Sequence, residues 1–126
     1  MLKFKYSDQQ AFDKVAVALV AQGGRSTDGG RCVYEASNGF RCAAGHLLPK
    51  RTPKKVLSFV GEWGRLLGDY PEYNTIADYD LVRVLQEAHD NTLDCFRSWT
   101  EEMRAVAIDF KLNTVKFDRA LKTKGV

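Results

Sequence analysis

The sequence has no apolar run long enough to cross a membrane and no recognisable secretion signal. Its longest apolar stretch, VAVALVAQ at residues 15–22, is cut short by Gln22 and the glycines after it, whereas a membrane helix needs about 18 or more apolar residues. The first residues are partly basic but lack the apolar centre and cleavage site of a signal peptide. We therefore expect a cytoplasmic protein without a membrane partner.

Cysteine is also scarce, and its count is odd. The three cysteines, Cys32, Cys42 and Cys95, cannot all pair within one chain, and 126 residues are enough to bury a core without disulfides. Reduced thiols fit this pattern better than a disulfide framework. The remaining composition, 44% hydrophobic and 28% charged, is that of an ordinary globular domain.

Net charge is small, and a value of +3 does not by itself indicate nucleic-acid binding. Its distribution is more informative, because residues 50–55 and the tail from residue 111 are basic, whereas most acids lie between residues 62 and 109. If the two basic segments meet in space they form a nucleic-acid-binding patch, and otherwise they are solvated surface. The candidates in the first segment are Lys50, Arg51, Lys54 and Lys55.

Helix signals divide much of the chain into amphipathic helices. Ser7 and Gln10 form a capping box for the first helix, whose apolar stripe ends at Gly23. Thr52 and the proline after it predict the start of a second helix. Its apolar stripe runs over residues 56–67 at three- and four-residue steps.

Two further helices are predicted in the second half of the chain. Asp78 or Asp80 is placed to cap the third. Ser98 and Glu101 form a second capping box, which predicts the start of the fourth. Asn113 is expected to close that helix.

The stretch GGRCVYEASNGFRCAAGHLLP, residues 29–49, predicts a β-hairpin around an Asn-Gly turn. Two registers are open. A two-residue turn pairs Glu35 with Cys42, whereas a three-residue turn with a glycine bulge pairs Tyr34 with Cys42. In the first register Cys32 and Cys42 point to opposite faces, and in the second they share one face.

Together these signals predict an α+β fold in which about four amphipathic helices pack with a small antiparallel β-hairpin. The whole chain, residues 1–126, is expected to form a single domain. The basic C-terminal tail, about residues 114–126, is expected to be flexible, because chain ends without anchoring contacts fray.

Polar side chains in and before the hairpin suggest a ligand site. The glycine-rich segment GGRSTDGGR lacks the ending of a phosphate-binding P-loop, but its backbone amides lie beside two arginines. Guanidinium groups and a tyrosine ring suit a planar or anionic ligand, although exposed arginines are often only solvated. The candidate ligand-binding residues are Arg25, Arg31, Tyr34, Arg41 and His46.

A metal or thiol site is the alternative use of the same region. Cys32, Cys42 and His46 could supply three zinc ligands, but the gap between the two cysteines is not the short paired spacing of a structural zinc site. Cys42 and His46 could also form a nucleophile and base, which would need a thiol of lowered pKa. We favour structural burial of the thiols, and we expect no metal and no cofactor.

The order GGRCVYEASNGFRCAAGHLLP, LQEAHDN and WTEEMRAVAIDFKL resembles an uncharacterised family of small proteins encoded by bacteriophages and prophages. The resemblance covers residues 8–49 and 81–113 and leaves out the basic segment and the tail. It carries over no catalytic residues, because no activity is established for that family. It implies an accessory protein made in the cytoplasm of an infected bacterium.

On these grounds we predict a non-enzymatic accessory protein that blocks or sequesters a host component. The partner would be a host protein, such as part of the antiviral defence machinery, or a small anionic ligand. The alternatives are a nucleic-acid-binding protein that uses residues 50–55 and the tail and, more weakly, a small Cys/His-dependent hydrolase or zinc protein. The wide apolar helix faces are compatible with a homodimer, although burial within one monomer explains the same pattern.

Overall fold

The protein is predominantly helical. The computed structural model describes residues 4–23, 27–28, 31–92 and 96–125. The α-helices of these residues are α1 (Asp8–Gln22), α2 (Lys54–Leu57), α3 (Trp63–Asp69), α4 (Tyr79–Thr92), α5 (Phe96–Asp109) and α6 (Val115–Lys124). Two short 3₁₀ helices, Ala44–Leu47 and Pro71–Thr75, connect them, and two two-residue strands, β1 (Thr27–Asp28) and β2 (Arg31–Cys32), pair antiparallel.

The predicted α+β fold with a hairpin around Asn38 is wrong. Within the described residues, the two predicted hairpin strands meet only in one isolated bridge, between Glu35 and Arg41. The turn itself has the three-residue register, because the Gly39 N–H donates to the Ala36 carbonyl and the φ angle of Gly39 is 87°. The segment is therefore a turn that packs on the helices.

The ribbon stays short because the next acceptor of a longer ladder, the Cys42 carbonyl, accepts instead from the His46 N–H at 3.1 Å. The outer edges of the ribbon bond to helices and not to a further strand. The side-chain amide of Gln22, at the end of α1, accepts from the Arg41 N–H and donates to the Arg41 carbonyl, each at 2.8 Å. On the opposite edge, the Glu35 N–H donates to the carbonyl of Leu57 in α2 at 3.0 Å. The 3₁₀ helix begins at Ala44, two residues after Cys42, so no further pair of the described residues joins the bridge.

Helix α1 begins and ends where the sequence predicts. Both hydrogen bonds of the Ser7 capping box are present, and Gly23 terminates the helix in the left-handed conformation. One face of α1 is buried in the core through Ala11, Phe12, Val15, Ala16, Leu19 and Val20. The capping box and the apolar stripe are both local signals, and for this helix they agree.

The helix predicted over residues 56–67 is instead two short helices, α2 and α3. The break falls at Gly61, whose φ of 147° is closed to most other residues. A β-carbon there would also lie 2.9 Å from the Phe59 ring. Of the predicted stripe, Val56 and Trp63 are buried, whereas Val60 is 49% exposed, so the core pattern was correct only in part.

Helices α4 and α5 pack against each other. The carboxylate of Asp78 accepts from the Leu81 N–H at 3.2 Å, which makes Asp78 rather than Asp80 the cap of α4. Helix α5 already includes Phe96, so Ser98 lies inside it and does not begin it as predicted. Trp99 and three later residues of α5, Met103, Val106 and Ala107, are buried.

The residues expected to form a basic tail form helix α6, which packs along α1. Phe117 of α6 is fully buried, and its ring contacts those of Phe12 and Trp99 edge-on. The ammonium group of Lys124 donates to the Val20 carbonyl at 2.7 Å, close to the partly negative end of α1. The C-terminal segment thus closes the core.

Buried residues from α1 to α6 belong to one hydrophobic cluster. Among the described residues, no helix combines the length and the apolar character needed to cross a bilayer.

Candidate functional site

A cleft of about 480 Å³ lies between the turn segment, the α2–α3 connection and one side of α4. We call it the aromatic cleft. It is lined by Val33, Tyr34, Cys42, Val60, Gly61, Glu62, Trp63, Tyr79, Arg83, Gln86, Glu87 and Asp90. Clefts of this size that combine aromatic walls with a few polar groups are typical ligand or partner sites.

Tyr34 forms the fixed inner wall of the aromatic cleft. Its side chain is buried, its hydroxyl donates to the Gly61 carbonyl at 3.1 Å, and its ring lies 6.3 Å from the rings of Phe59 and Trp63. Burial, followed by the nearby Cys42, raises the pKa of the Tyr34 hydroxyl, so this group remains a neutral donor. The wall is therefore rigid and uncharged.

The rim of the aromatic cleft carries exposed apolar surface. Val60 is 49% exposed and Tyr79 is 41% exposed, and both are among the few large apolar side chains that the described residues leave open to solvent. Gly64 lets Tyr79 lie close to α3, since a β-carbon at Gly64 would be 2.9 Å from the tyrosine hydroxyl. Two exposed apolar side chains at one cleft mark a surface that can bury area against a partner.

The charged groups of the aromatic cleft are mainly acidic. Three carboxylates line it, those of Glu62, Glu87 and Asp90, against the single guanidinium of Arg83. That guanidinium is bound to Glu87 at 3.0 Å. A cleft with this balance attracts cations more than anions.

Two polar groups tie the cleft to the rest of the fold. Gln86 accepts from the Ala44 N–H at 2.9 Å and donates to Asp90 at 3.0 Å. This second bond positions the Asp90 carboxylate in the last turn of α4. Trp63 is buried, and its indole N–H has no hydrogen-bond acceptor among the described residues. A buried donor of this kind costs free energy unless it finds an acceptor.

Of the five predicted ligand-binding residues, the structure describes the side chains of three, and only Tyr34 lines the aromatic cleft. Arg25 and the side chain of Arg31 lie outside the described residues. Tyr34 reaches the aromatic cleft, whereas Arg41 and His46 are engaged within the protein.

Arg41 connects the turn to the loop that precedes α2. Its side chain is 11% exposed and forms a 2.6 Å salt bridge with Glu35. The same guanidinium donates to four main-chain carbonyls, those of Gly45, Leu48, Pro49 and Lys50. These contacts neutralise its charge and use its donors, so Arg41 serves as a structural link.

Cys42 and His46 do not form a nucleophile and base pair. The Cys42 thiol is 3% exposed, and burial raises its pKa to about 12, so it is protonated at neutral pH. Its sulfur accepts from the Gly45 N–H at 3.3 Å. Burial, with the charges of Arg41 and Lys14, lowers the pKa of His46 to about 4, and its Nε2 bonds to Gln22.

The metal alternative has no support among the described residues, where no three potential ligands converge. The side chain of Cys32 lies outside those residues. The basic candidates Lys50, Arg51, Lys54 and Lys55 are all exposed around the start of α2.

Sequence reasoning missed Glu62, Tyr79, Glu87 and Asp90 as site residues and assigned Trp63 to the core only. The available signal was the pair of glycines at positions 61 and 64 that flank Trp63. Glycines at such spacing in a helical pattern indicate a break or a close approach, but nothing local indicates that α4 supplies the opposite wall.

Comparison with protein-family models, with curated proteins and with solved structures finds no match to this chain.

Proposed function

We propose that this chain is a non-enzymatic binding protein that holds a basic side chain of a partner protein in the aromatic cleft. The partner would be a host protein of a phage-infected bacterium, and binding would block it. The observation that carries the proposal is the combination of aromatic walls, a carboxylate majority and exposed apolar rim residues in one cleft.

The chemistry of the cleft suits a guanidinium or ammonium group. A cation over an aromatic face gains from the ring quadrupole, and the gain rises when the site excludes water. Glu62 is exposed, so it can meet an incoming charge, and Asp90 is partly buried. Arginine fits both features, because it stacks on rings and pairs with carboxylates.

The rim favours a protein as the bearer of that cation. Val60 and Tyr79 would be covered by apolar atoms around the basic side chain, as in the central part of protein interfaces. A small free cation would leave both side chains in water. The phage setting of the proposal rests on the sequence resemblance alone.

The state of Cys42 supports binding over thiol catalysis. A reactive cysteine needs a lowered pKa and access to the substrate. Cys42 has a raised pKa and is buried, and the His46 ring is held by Gln22.

The test is recovery of partners by the tagged protein from bacterial cells, with matched pairs of variants. Glu62→Lys and Tyr79→Ala alter the cleft, whereas Glu72→Lys and Phe4→Ala make the same changes at exposed positions outside it. We expect a partner recovered by wild type and controls whose yield falls at least about tenfold with each cleft variant.

Equal recovery by the cleft variants and the controls would refute the proposal. All four positions are exposed, so the variants are expected to fold. Identical thermal melts of the four proteins would verify this.

Nucleic-acid binding is the second candidate, and the exposure of the four cations in residues 50–55 favours it. None of them forms a salt bridge to an acid among the described residues. Its test is the salt dependence of binding to a labelled DNA duplex. Affinity should fall steeply with salt, and Lys54→Glu with Lys55→Glu should weaken it. Flat salt dependence would exclude this candidate.

A further inference from the structure

Two further grooves carry opposite charge. The first, which we call the basic face, is a groove of about 560 Å³ between α1 and α6. Its floor includes Val17, which is 38% exposed, and Ala120. Its rim carries Lys116, Arg119 and Lys124, and no acidic residue lines it.

Two of the three cations of the basic face are available to a partner, whereas Lys124 is bound to the Val20 carbonyl. Lys116 and Arg119 are exposed and form no salt bridge to an acid among the described residues. The acid nearest to them in sequence, Asp118, is held by Arg104 of α5 at 2.7 Å, and this hydrogen bond lowers the pKa of Asp118. The positive charge of the groove is therefore not balanced by that carboxylate.

The second groove, the acidic face, lies between α4 and α5 and has a volume of about 260 Å³. Val84 and Ala105 contribute to its apolar floor. Its charged residues are Glu87, Glu102 and Asp109, and no basic residue lines it. Glu102 and Asp109 are exposed and have no salt-bridge partner among the described residues.

We propose that the basic face of one copy docks on the acidic face of a second copy. The two faces complement each other in charge, and each adds an apolar strip that the contact would bury. An apolar floor is better covered by side chains than by a phosphate backbone, which favours a protein occupant over nucleic acid. The chain itself carries an acidic helix pair of the required chemistry.

The contact joins two different faces, so it is head-to-tail. Each added copy leaves one basic and one acidic face free, and association continues until a ring closes or the concentration limits it. Attraction between exposed charges is screened by salt, since the Debye length falls from about 10 Å at 0.1 M to about 3 Å at 1 M. Self-association should therefore depend on both concentration and salt.

The experiment is sedimentation velocity of the nuclease-treated, reduced full chain over a range of concentrations at low and high salt. Wild type should gain mass with concentration at low salt and be monomeric at high salt. Lys116→Glu with Arg119→Glu removes the basic face, and Glu102→Lys with Asp109→Lys removes the acidic face. Each double variant should raise the apparent dissociation constant at least about tenfold.

Mixing is the decisive step. Each double variant keeps one intact face, and the two reversed faces are again opposite in charge, so an equal mixture should recover the association that each variant alone has lost. Lys54→Glu with Lys55→Glu and Asp69→Lys with Glu72→Lys make the same charge changes away from both faces and should associate like wild type. Glu87 is left unchanged because it also lines the aromatic cleft.

The proposal fails if wild type stays monomeric at low salt or if association persists at high salt. It also fails if either face variant associates like wild type, if the mixture stays monomeric, or if the charge-matched controls lose association equally. It does not rest on the proposed function of the aromatic cleft, and neither result decides the other.

Discussion

At the scale of single residues, Arg41 illustrates how a side chain with a plausible ligand-binding role can be a structural link. Local sequence marked it as unusual, because it stands beside Cys42 in a turn with few other charges. Its contacts with Glu35 and with carbonyls up to Lys50 depend on how the following loop returns. No local sequence pattern predicts how that loop folds back toward Arg41, so the structural role of Arg41 could not be predicted from the sequence.

Arg41→Ala should lower the free energy of unfolding by about 2–4 kcal/mol, because it leaves Glu35 and several carbonyls without their donor. Urea denaturation gives the measurement. Arg51→Ala, a change at an exposed arginine nearby, is the matched control and should stay within about 0.5 kcal/mol of wild type. Equal losses in the two variants would contradict the structural role of Arg41.

His46 should make stability depend on pH below neutrality. Its folded-state pKa, about 4, lies below the ordinary histidine value of 6.5, so the unfolded chain binds the proton first as pH falls. The stabilisation is complete above the unfolded pKa and is lost as pH falls from 6.5 toward 4.

Urea denaturation of wild type and His46→Gln over this pH range isolates the effect. The free energy of unfolding of wild type should fall more steeply with decreasing pH than that of the variant, which keeps a donor for Gln22. Parallel curves for the two proteins would show that the imidazole does not have a lowered pKa.

At the scale of secondary structure, local signals succeeded where one element supplies all the information. The Ser7 capping box and the α1 stripe needed no tertiary knowledge. The hairpin failed because the Cys42 carbonyl bonds to the His46 N–H of the following 3₁₀ helix, while Gln22 and the carbonyl of Leu57 bond to the outer edges of the ribbon. The Asn-Gly turn lies where the sequence predicts it, but no local pattern indicates that Gln22 and Leu57 bond to the residues beside it.

The C-terminal segment is predicted to be flexible because it ends the chain, but its sequence also contains a short apolar stripe. Phe117 and Leu121 are four residues apart on one face of α6, and both are buried. This spacing was present in the sequence. The lysines of the segment lie on the solvent side of the helix.

Phe117→Ala should reveal the contribution of α6, with an expected loss of about 3–5 kcal/mol in the free energy of unfolding. The ring contacts Phe12 and Trp99, so its removal leaves a cavity between three helices. Chemical denaturation measures the loss. Val115→Ala, at a side chain that is 58% exposed, is the control on the same helix. A loss in Phe117→Ala no larger than in Val115→Ala would mean that α6 is not part of the core.

At the scale of the whole molecule, sequence indicated the separation of charge but not the surfaces that result. The acids of α4 and α5 and the cations of α6 were visible as segments. Only the packing of α1 on α6 and of α4 on α5 turns them into two faces. The walls of the aromatic cleft likewise come from three separate stretches of the chain. No single sequence pattern predicts that these stretches meet.

The central claim, that the aromatic cleft takes a basic side chain, can be measured directly by NMR. The protein has two tryptophans, so its spectrum should show two indole N–H signals. Trp63 lines the cleft and Trp99 is buried among α5 and α6 side chains, which makes the second an internal control. The probe is a blocked tripeptide with a central arginine, and its neutral control carries citrulline instead.

We expect millimolar arginine peptide to shift the Trp63 signal progressively while the Trp99 signal stays in place. The citrulline peptide should shift neither signal, because it lacks the charge that the carboxylates attract. A Trp63 signal that does not respond to the arginine peptide, or that responds equally to citrulline, would contradict the account.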